Sequence, residues 1–523
     1  MKKTLTILFV GLCLGAGIFF RFYHLERKVF WHDEVYSKLF IDGFQRNDWA
    51  PQLFSGNVLE KSDLGKFLSL DPKTSMGDTL RGLARDDPQH PPLYYLLARF
   101  WLECFGDSIA TLRLLSAVIS LLAFPAMFGL GKELFGSRRA AWAGVVLIAV
   151  CPFFVLYAQE AREYSLWGVL ILLSSLALLK GLRYSSDPMA SGYRKWLAWS
   201  LYSLLSGLSL YTSFSTALVL IAQGIYVLYR TKFRPNKTII SYSLASAVAL
   251  LLFLPWVWVF KQNIETFKAT TAWAKDIVIP RLDLFKILGL NFSKLVFDVG
   301  WEYEHRWMAW VVPFINILLV YSCFELCRRV ALRTSLFILL LILTPVAMLL
   351  GPDLIFGGIR SASARYLTPS FLAMELALAY LLANRLSASK TGISFAAAIL
   401  TLNILSCLVT SPMDTAWTKG ISYGLPQVAR LINQSNSALL VGNQNSYNPG
   451  NIFALSRLLK PGVKLQLLNT DEKYVLPQGF SDLFLLNPSD VLRKTLTNQA
   501  YLHLQLLFQD AHLQLWRINL TTP

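Results

Sequence analysis

Apolar residues run along this chain in long, nearly uncharged blocks rather than as the narrow stripe of a surface helix. The blocks lie near 4–20, 109–131, 140–157, 164–181, 196–211, 214–230, 239–260, 308–326, 334–351, 367–384 and 392–410. At 1.5 Å per residue, roughly 17–25 such residues cross the hydrocarbon core of a bilayer. The pattern predicts a polytopic α-helical membrane protein with about 11 transmembrane helices. The block at 92–105 (PLYYLLARFWLECF) is too short to cross and carries Arg99 and Glu103 four residues apart. It is expected to lie at the membrane surface as an amphipathic helix.

Beyond residue 410 the pattern changes. Short strand-like runs (SALLVG at 437–442, VKLQLL at 463–468, DLFLLN at 482–487) alternate with helical stretches, and 503–518 reads as a hairpin turning at Gln509–His512. The expected organisation is a membrane module over 1–410, with a long outer loop and interfacial helices over 21–108, and a C-terminal soluble α/β domain over 411–523.

Of the 523 residues, 54% are hydrophobic and 15% charged. Soluble domains carry about 25% charged residues, so a soluble chain is excluded, as is a disordered one. Six cysteines over this length exclude a disulfide scaffold, and their spacing holds no metal-ligand pattern, so packing is their expected role. The net charge of +17 would suggest nucleic acid in a soluble protein, but its distribution gives another reason. With the N-terminus in the cytoplasm, the inner connections carry Lys2 and Lys3; Lys132, Arg138 and Arg139; Arg183, Arg194 and Lys195; Lys232, Arg234 and Lys237; Arg328, Arg329 and Arg333; and Arg385 and Lys390. Only Glu133 and Asp187 oppose them. Counting 92–105 as a span would put these clusters outside, so the positive-inside rule selects the eleven-helix topology. No nucleic-acid partner is expected. The outer segments are then 21–91, 261–307, 352–366 and the tail, and the protein is expected in the plasma (inner) membrane. Lys2 and Lys3 before an apolar run resemble a signal peptide, but no small-x-small cleavage site follows, so the run reads as a retained first helix.

Four outer strings carry candidate chemistry. The first loop opens with Val29-Phe-Trp-His-Asp-Glu-Val-Tyr36, an acidic pair wrapped in aromatic residues close to the first helix. Partial desolvation raises a carboxylate pKa and suits Asp33 or Glu34 to general-base work; the alternative is a helix N-terminus favoured by its negative charges. The loop ends in Asp86-Asp-Pro-Gln-His-Pro-Pro-Leu-Tyr-Tyr95, where two prolines stiffen the chain beside His90. Tyr157-Ala-Gln-Glu-Ala-Arg-Glu-Tyr164 fills a short outer turn. Its Arg162 suits a phosphate through the bidentate guanidinium, or pairs locally with Glu160 or Glu163. Arg360-Ser-Ala-Ser-Ala-Arg-Tyr-Leu-Thr-Pro369 places two arginines near an outward helix end and asks for an anionic partner.

In this order, WHDEVYS, HPPLYYLLARFWLECFGDSIATLRLLS, AQEAREYSL and ARYLTPS resemble the GT-C membrane glycosyltransferases. The resemblance is closer to the bacterial branch related to protein O-mannosyltransferases and lipid A aminoarabinose transferases. It covers 1–410 and implies a GT-C fold whose first outer loop bears amphipathic helices. It also implies a polyprenyl-phosphate sugar donor, transferred on the outer face with inversion at the anomeric carbon. The family's catalytic base position falls on Asp33, with Glu34 beside it. Its donor-phosphate positions fall on His90, Arg162 and Arg365. Gln159 and Glu160 match the second outer turn, and Trp31, Tyr36, Tyr94, Tyr95 and Tyr366 complete the implied substrate pocket. Glu163-Tyr164 departs from the Arg-Pro-Tyr of many relatives. The tail matches nothing, so the acceptor is left open among lipid, glycan and protein.

The implied enzyme is a glycosyltransferase moving a hexosyl or pentosyl group. Its expected partners are the lipid-linked donor, the acceptor and the surrounding membrane lipids. No cofactor is required and no metal site is expected, although a divalent cation bridging a carboxylate and the phosphate is compatible with these residues. Two other readings are a flippase or transporter of lipid-linked sugars and a polysaccharide-assembly membrane protein. A transporter favours charges at mid-membrane, and the apolar runs hold Glu375 as an isolated exception.

Overall fold

The structure is a computed structural model and describes residues 2–300, 308–388, 390–445, 447–469, 477, 479–499 and 502–520. The chain forms two compact units. The first comprises Met1–Tyr23, Asp87–Tyr94 and Arg113–Ser411; the second comprises His24–Asp86, Tyr95–Leu112 and Pro412–Pro523.

The first unit is helical. Each apolar block of the sequence forms a helix, as it must where no water is present to satisfy the backbone. Among the described residues, seven helices are long and apolar enough to cross a membrane: Ile109–Phe135, Tyr164–Ser186, Lys237–Gln262, Met308–Arg329, Leu332–Phe356, Ala364–Leu386 and Thr391–Thr410. The number is eight if Arg138–Val150 and Pro152–Ala158, bent by 57° at their break, make one span. Leu8–Phe22 and Thr216–Arg230 are apolar but shorter, and Gly192–Leu210 is the remaining expected run. Ala364–Leu386 is the most buried of the long helices and Lys237–Gln262 the least. The latter exposes Leu244, Leu251, Leu254 and Trp258, a face suited to lipid. Glu375 is buried within the unit, beside Cys151.

The 57° break has a physical cause. Pro152 opens the second helix and Cys151 adopts an extended conformation, so the last carbonyls of Arg138–Val150 lose their helical partners. Arg21, 1% exposed, supplies them: Nη2 donates to Ile148 O at 2.8 Å, and Nη1 to Ala149 O and to Gly17 O. Its Nε donates to Ser120 Oγ at 3.1 Å. Position 17 must be glycine for this approach, because a Cβ there would collide with the Ala149 carbonyl.

The second unit is built on a six-stranded mixed sheet. Its strands are β1 (Ser55–Glu60), β2 (Ala438–Asn443), β3 (Lys464–Leu468), β4 (Asp482–Leu486), β5 (Leu502–Gln509) and β6 (Gln514–Leu520), in the order β1-β3-β2-β4-β6-β5. β2 pairs in parallel with β3 and β4, and the outer pairings are antiparallel. Leu439, Val441, Leu483, Leu485, Leu492, Leu496, Leu502 and Ile518 form its core. The strands expected in the tail are all present.

Strand β1 was not expected. SGNVLE has little strand propensity, and its partner β3 lies about 400 residues later in sequence, beyond the reach of a local pattern. With it the first loop joins the tail: 24–86 and 95–112 group with 412–523, where the sequence suggested a division at 410/411. The loop also holds an unexpected buried network. Lys38 pairs with Asp42 and with Asp107 at 2.7 Å. Arg99 donates to Ile41 O at 3.0 Å, Thr74 O at 2.6 Å and Glu103 at 2.8 Å. Arg99 is 2% exposed, so in Leu93–Phe105 it binds the loop together rather than reaching into the aqueous interface.

Candidate active site

In the helical unit the candidate residues gather around the turn between Pro152–Ala158 and Tyr164–Ser186. The segment Asp87–Tyr94 is pinned beside it: Trp256 Nε1 donates to Pro88 O at 3.2 Å, Thr270 Oγ1 to Gln89 Oε1 at 2.9 Å, and Leu93 N to Tyr211 O at 3.0 Å. This brings His90 to Arg162, whose Nη2 lies 2.9 Å from His90 Nε2. A guanidinium has no acceptor, so Arg162 donates and His90 accepts. Nδ1 is then the nitrogen that donates, to Asp87 Oδ2 at 2.8 Å, and the ring is fixed in orientation between the two partners.

Arg162 also forms an ion pair with Glu163, Nε to Oε2 at 3.2 Å, with both side chains almost fully buried. The local pairing weighed from sequence therefore forms, and it uses Glu163, the residue at which this chain departs from the family pattern. The backbone of the turn is fixed from below. Tyr94 Oη bonds Ser116 Oγ at 2.9 Å, and Ser116 Oγ donates to Arg162 O at 3.3 Å. Gln159 Nε2 donates to Phe20 O and Tyr23 O, each at 2.8 Å, and so caps the end of the first helix. Glu160 is buried at 1% exposure. Tyr94 and Gln159 thus support the turn rather than line an open pocket.

Arg365 and Tyr366 lie half-buried in the one-turn helix Ala364–Leu367, with the guanidinium carbon 5.6 Å from the Tyr366 ring. The Arg162 guanidinium carbon lies 5.8 Å from the Tyr164 ring, and the Arg365 charge also acts on that phenol. Arg360, the other arginine of its string, is committed elsewhere. It pairs with the buried Asp353 at 2.8 Å, and Asp353 also accepts from Ser361 N and Oγ.

In the sheet-containing unit, Asp33 and Glu34 occupy the first turn of the helix His32–Ile41. The two carboxylates have different surroundings. Glu34 is 0% exposed and pairs with Lys419 Nζ at 3.1 Å; the ammonium also lies 5.6 Å from the Trp31 ring. Asp33 is half-buried. Beside it, burial and then the Asp33 charge push the Tyr447 phenol above its ordinary value. His32 Nδ1 donates to Tyr447 O at 3.2 Å, and its ring meets the Tyr447 and Tyr36 rings at 5.7 and 4.9 Å. His32 N donates to Ser422 Oγ at 3.1 Å. Gly450 lets the His32 ring approach, since a Cβ there would overlap it. Trp31 and Tyr95 are buried, and Tyr36 packs on Trp49 and Phe40.

Sequence reasoning missed Asp87, Ser116, Lys419 and Tyr447. Asp87 stands three residues before His90 in a proline-stiffened turn, a signal that was present. Lys419 and Tyr447 sit in polar tail segments with none. Among the described residues no group of three or more His, Cys, Asp or Glu is arranged to hold a metal.

Residues 89–259 match the dolichyl-phosphate-mannose-protein mannosyltransferase family, a stretch that contains His90, Gln159, Glu160 and Arg162. Two structures of ArnT from Cupriavidus metallidurans, one bound to undecaprenyl phosphate and one in the apo state, align over 99% of this chain and 98% of theirs. Each has a TM-score of 0.55, at 12% and 13% identity respectively. The archaeal oligosaccharyltransferase AglB from Archaeoglobus fulgidus, in complex with an inhibitory peptide and a dolichol-phosphate, aligns over 88% of this chain and 65% of its own, with a TM-score of 0.49 and 14% identity. No curated protein matches the chain. The GT-C resemblance drawn from the motifs is borne out at the level of fold: the chain shares the fold of ArnT over nearly its whole length, and 89–259 matches the mannosyltransferase family.

Proposed function

We propose that this protein is an inverting glycosyltransferase that takes a sugar from a polyprenyl-phosphate carrier and places it on an acceptor hydroxyl at the outer face of the plasma membrane. The observation that carries the reading is the pair of arginines beside Tyr164, Arg162 held by His90 and Arg365 acting on the same phenol, in a largely apolar helical unit. The shared fold with ArnT, whose structure holds undecaprenyl phosphate, and the family match over 89–259 support a lipid-phosphate donor.

In this mechanism Asp33 accepts the proton of the acceptor hydroxyl as its oxygen attacks the anomeric carbon. The bond from that carbon to the phosphate oxygen breaks, and polyprenyl phosphate departs. Arg162 and Arg365 neutralise the charge that builds on the leaving oxygen, and His90, fixed by Asp87, orients Arg162. Donors aimed at a developing anion contribute about 2.7–4 kcal/mol each in well-organised sites. Glu34 is committed to Lys419 and positions the loop that carries Asp33. The basic clusters of the sequence support an eleven-span topology with the N-terminus inside and the tail outside, in which the chemistry lies outside the cytoplasm.

The test is direct. Purified protein in detergent, given a labelled polyprenyl-phosphate sugar, should release polyprenyl phosphate in an acceptor-dependent manner. Movement of the intact donor across liposomes without cleavage would contradict the reading and favour a flippase.

A further inference from the structure

A charged cavity lies at the end of the helical unit away from the His90–Arg162 cluster. It has a volume of about 260 Å³ and is lined by Arg183, Arg230, Arg333, Glu133, Asp187 and Tyr226. It sits where Ala123–Phe135, Tyr164–Ser186 and Thr216–Arg230 end and Leu332–Phe356 begins. Along Tyr164–Ser186, Arg183 is roughly 29 Å from Tyr164 at 1.5 Å per residue. That is about one hydrocarbon thickness, so the cavity stands at the opposite membrane boundary from the His90–Arg162 cluster. The same ends bear the basic connections.

The charges in the cavity are unevenly matched. Glu133 pairs with Arg183 at 3.2 Å, and Asp187 Oδ1 accepts the Met189 N–H at 2.9 Å. Arg230 Nη1 donates to Tyr226 Oη at 3.2 Å, which leaves the phenolic hydrogen to donate to a further acceptor. Arg333 is close enough for its charge to act on the same phenol. Neither Arg230 nor Arg333 has a carboxylate partner among the described residues. Two guanidiniums and one hydroxyl therefore line a volume large enough for a phosphate, walled also by Leu134 and Leu179. Arginine forks match phosphate oxygens in pairs, and basic pockets between membrane helices suit lipid headgroups.

We propose that this cavity binds the phosphate of an anionic phospholipid headgroup, a site separate from the one proposed for glycosyl transfer. Phosphate could reach it from a lipid or from solution; the apolar walls at a membrane boundary favour the lipid.

Native mass spectrometry of the full-length protein with added phosphatidylglycerol tests this. The wild type should retain phosphatidylglycerol over phosphatidylcholine. Arg333→Gln, at an exposed position where substitutions generally cost little stability, should lower retention severalfold, and Arg230→Gln with Arg333→Gln should lower it about tenfold or more. Equal retention in wild type and Arg333→Gln, or no preference over phosphatidylcholine, would overturn the site. Displacement of the lipid by millimolar inorganic phosphate would overturn the lipid assignment in favour of a soluble anion.

Discussion

Lys419 and Glu34 bury opposite charges at 1% and 0% side-chain exposure. Removing one partner of such a pair leaves the other uncompensated, at a cost of about 3–5 kcal/mol. Lys419→Met should lower the melting temperature of the purified protein accordingly. Adding Glu34→Gln should recover most of the loss, because no buried charge remains; a double variant as unstable as the single would show that the pair is not the source. On the donor side, Arg365→Ala should weaken binding of a polyprenyl-phosphate sugar more than tenfold, from charge-assisted bonds of about 1.5–3 kcal/mol. Arg162→Ala should do the same or less, since Glu163 already offsets part of its charge. Unchanged affinity in both variants would place the phosphate elsewhere. The acidic pair and the His90 and Arg162 strings were legible in the sequence because each is short and dense in chemistry. The division of labour between Asp33 and Glu34 was not, because it depends on a lysine 385 residues away.

Between elements, the bend at Cys151 depends on one side chain. Arg21→Met would strip the Ile148 and Ala149 carbonyls of their donor at a buried position. A loss of about 3 kcal/mol or more is expected, read as a drop in thermal stability and a gain in proteolysis near 150–158. A variant as stable and as protected as the wild type would mean another group fills the break. Pro152 announced the interruption in the sequence, but nothing local announced its partner. The same limit explains β1. The tail strands were legible from their own apolar runs, whereas SGNVLE is a strand through its pairing with β3. The spacing of Arg99 and Glu103 on a short apolar helix predicts charges at the membrane surface, yet Arg99 is buried because backbone carbonyls at Ile41 and Thr74 receive it.

At the scale of the whole molecule, uninterrupted apolar runs made the helical fold legible, since spanning a bilayer leaves the backbone few choices. Grouping of the first loop with the tail was not legible, because it rests on long-range pairing. The topology makes its own prediction: reporters fused after Pro412 or near Asn57 should read outside the cytoplasm, and one near Arg138 inside. An inside signal after Pro412 would overturn the eleven-span arrangement. The central claim is that Asp33 is the base of a glycosyl transfer from a lipid phosphate, and its most direct test compares turnover with donor binding in Asp33→Asn. That variant keeps the shape of the side chain but does not accept the hydroxyl proton at neutral pH. Turnover should fall about 100-fold or more with donor affinity nearly intact, while Glu34→Gln loses less; near-normal turnover in a folded, membrane-inserted Asp33→Asn protein would contradict the account.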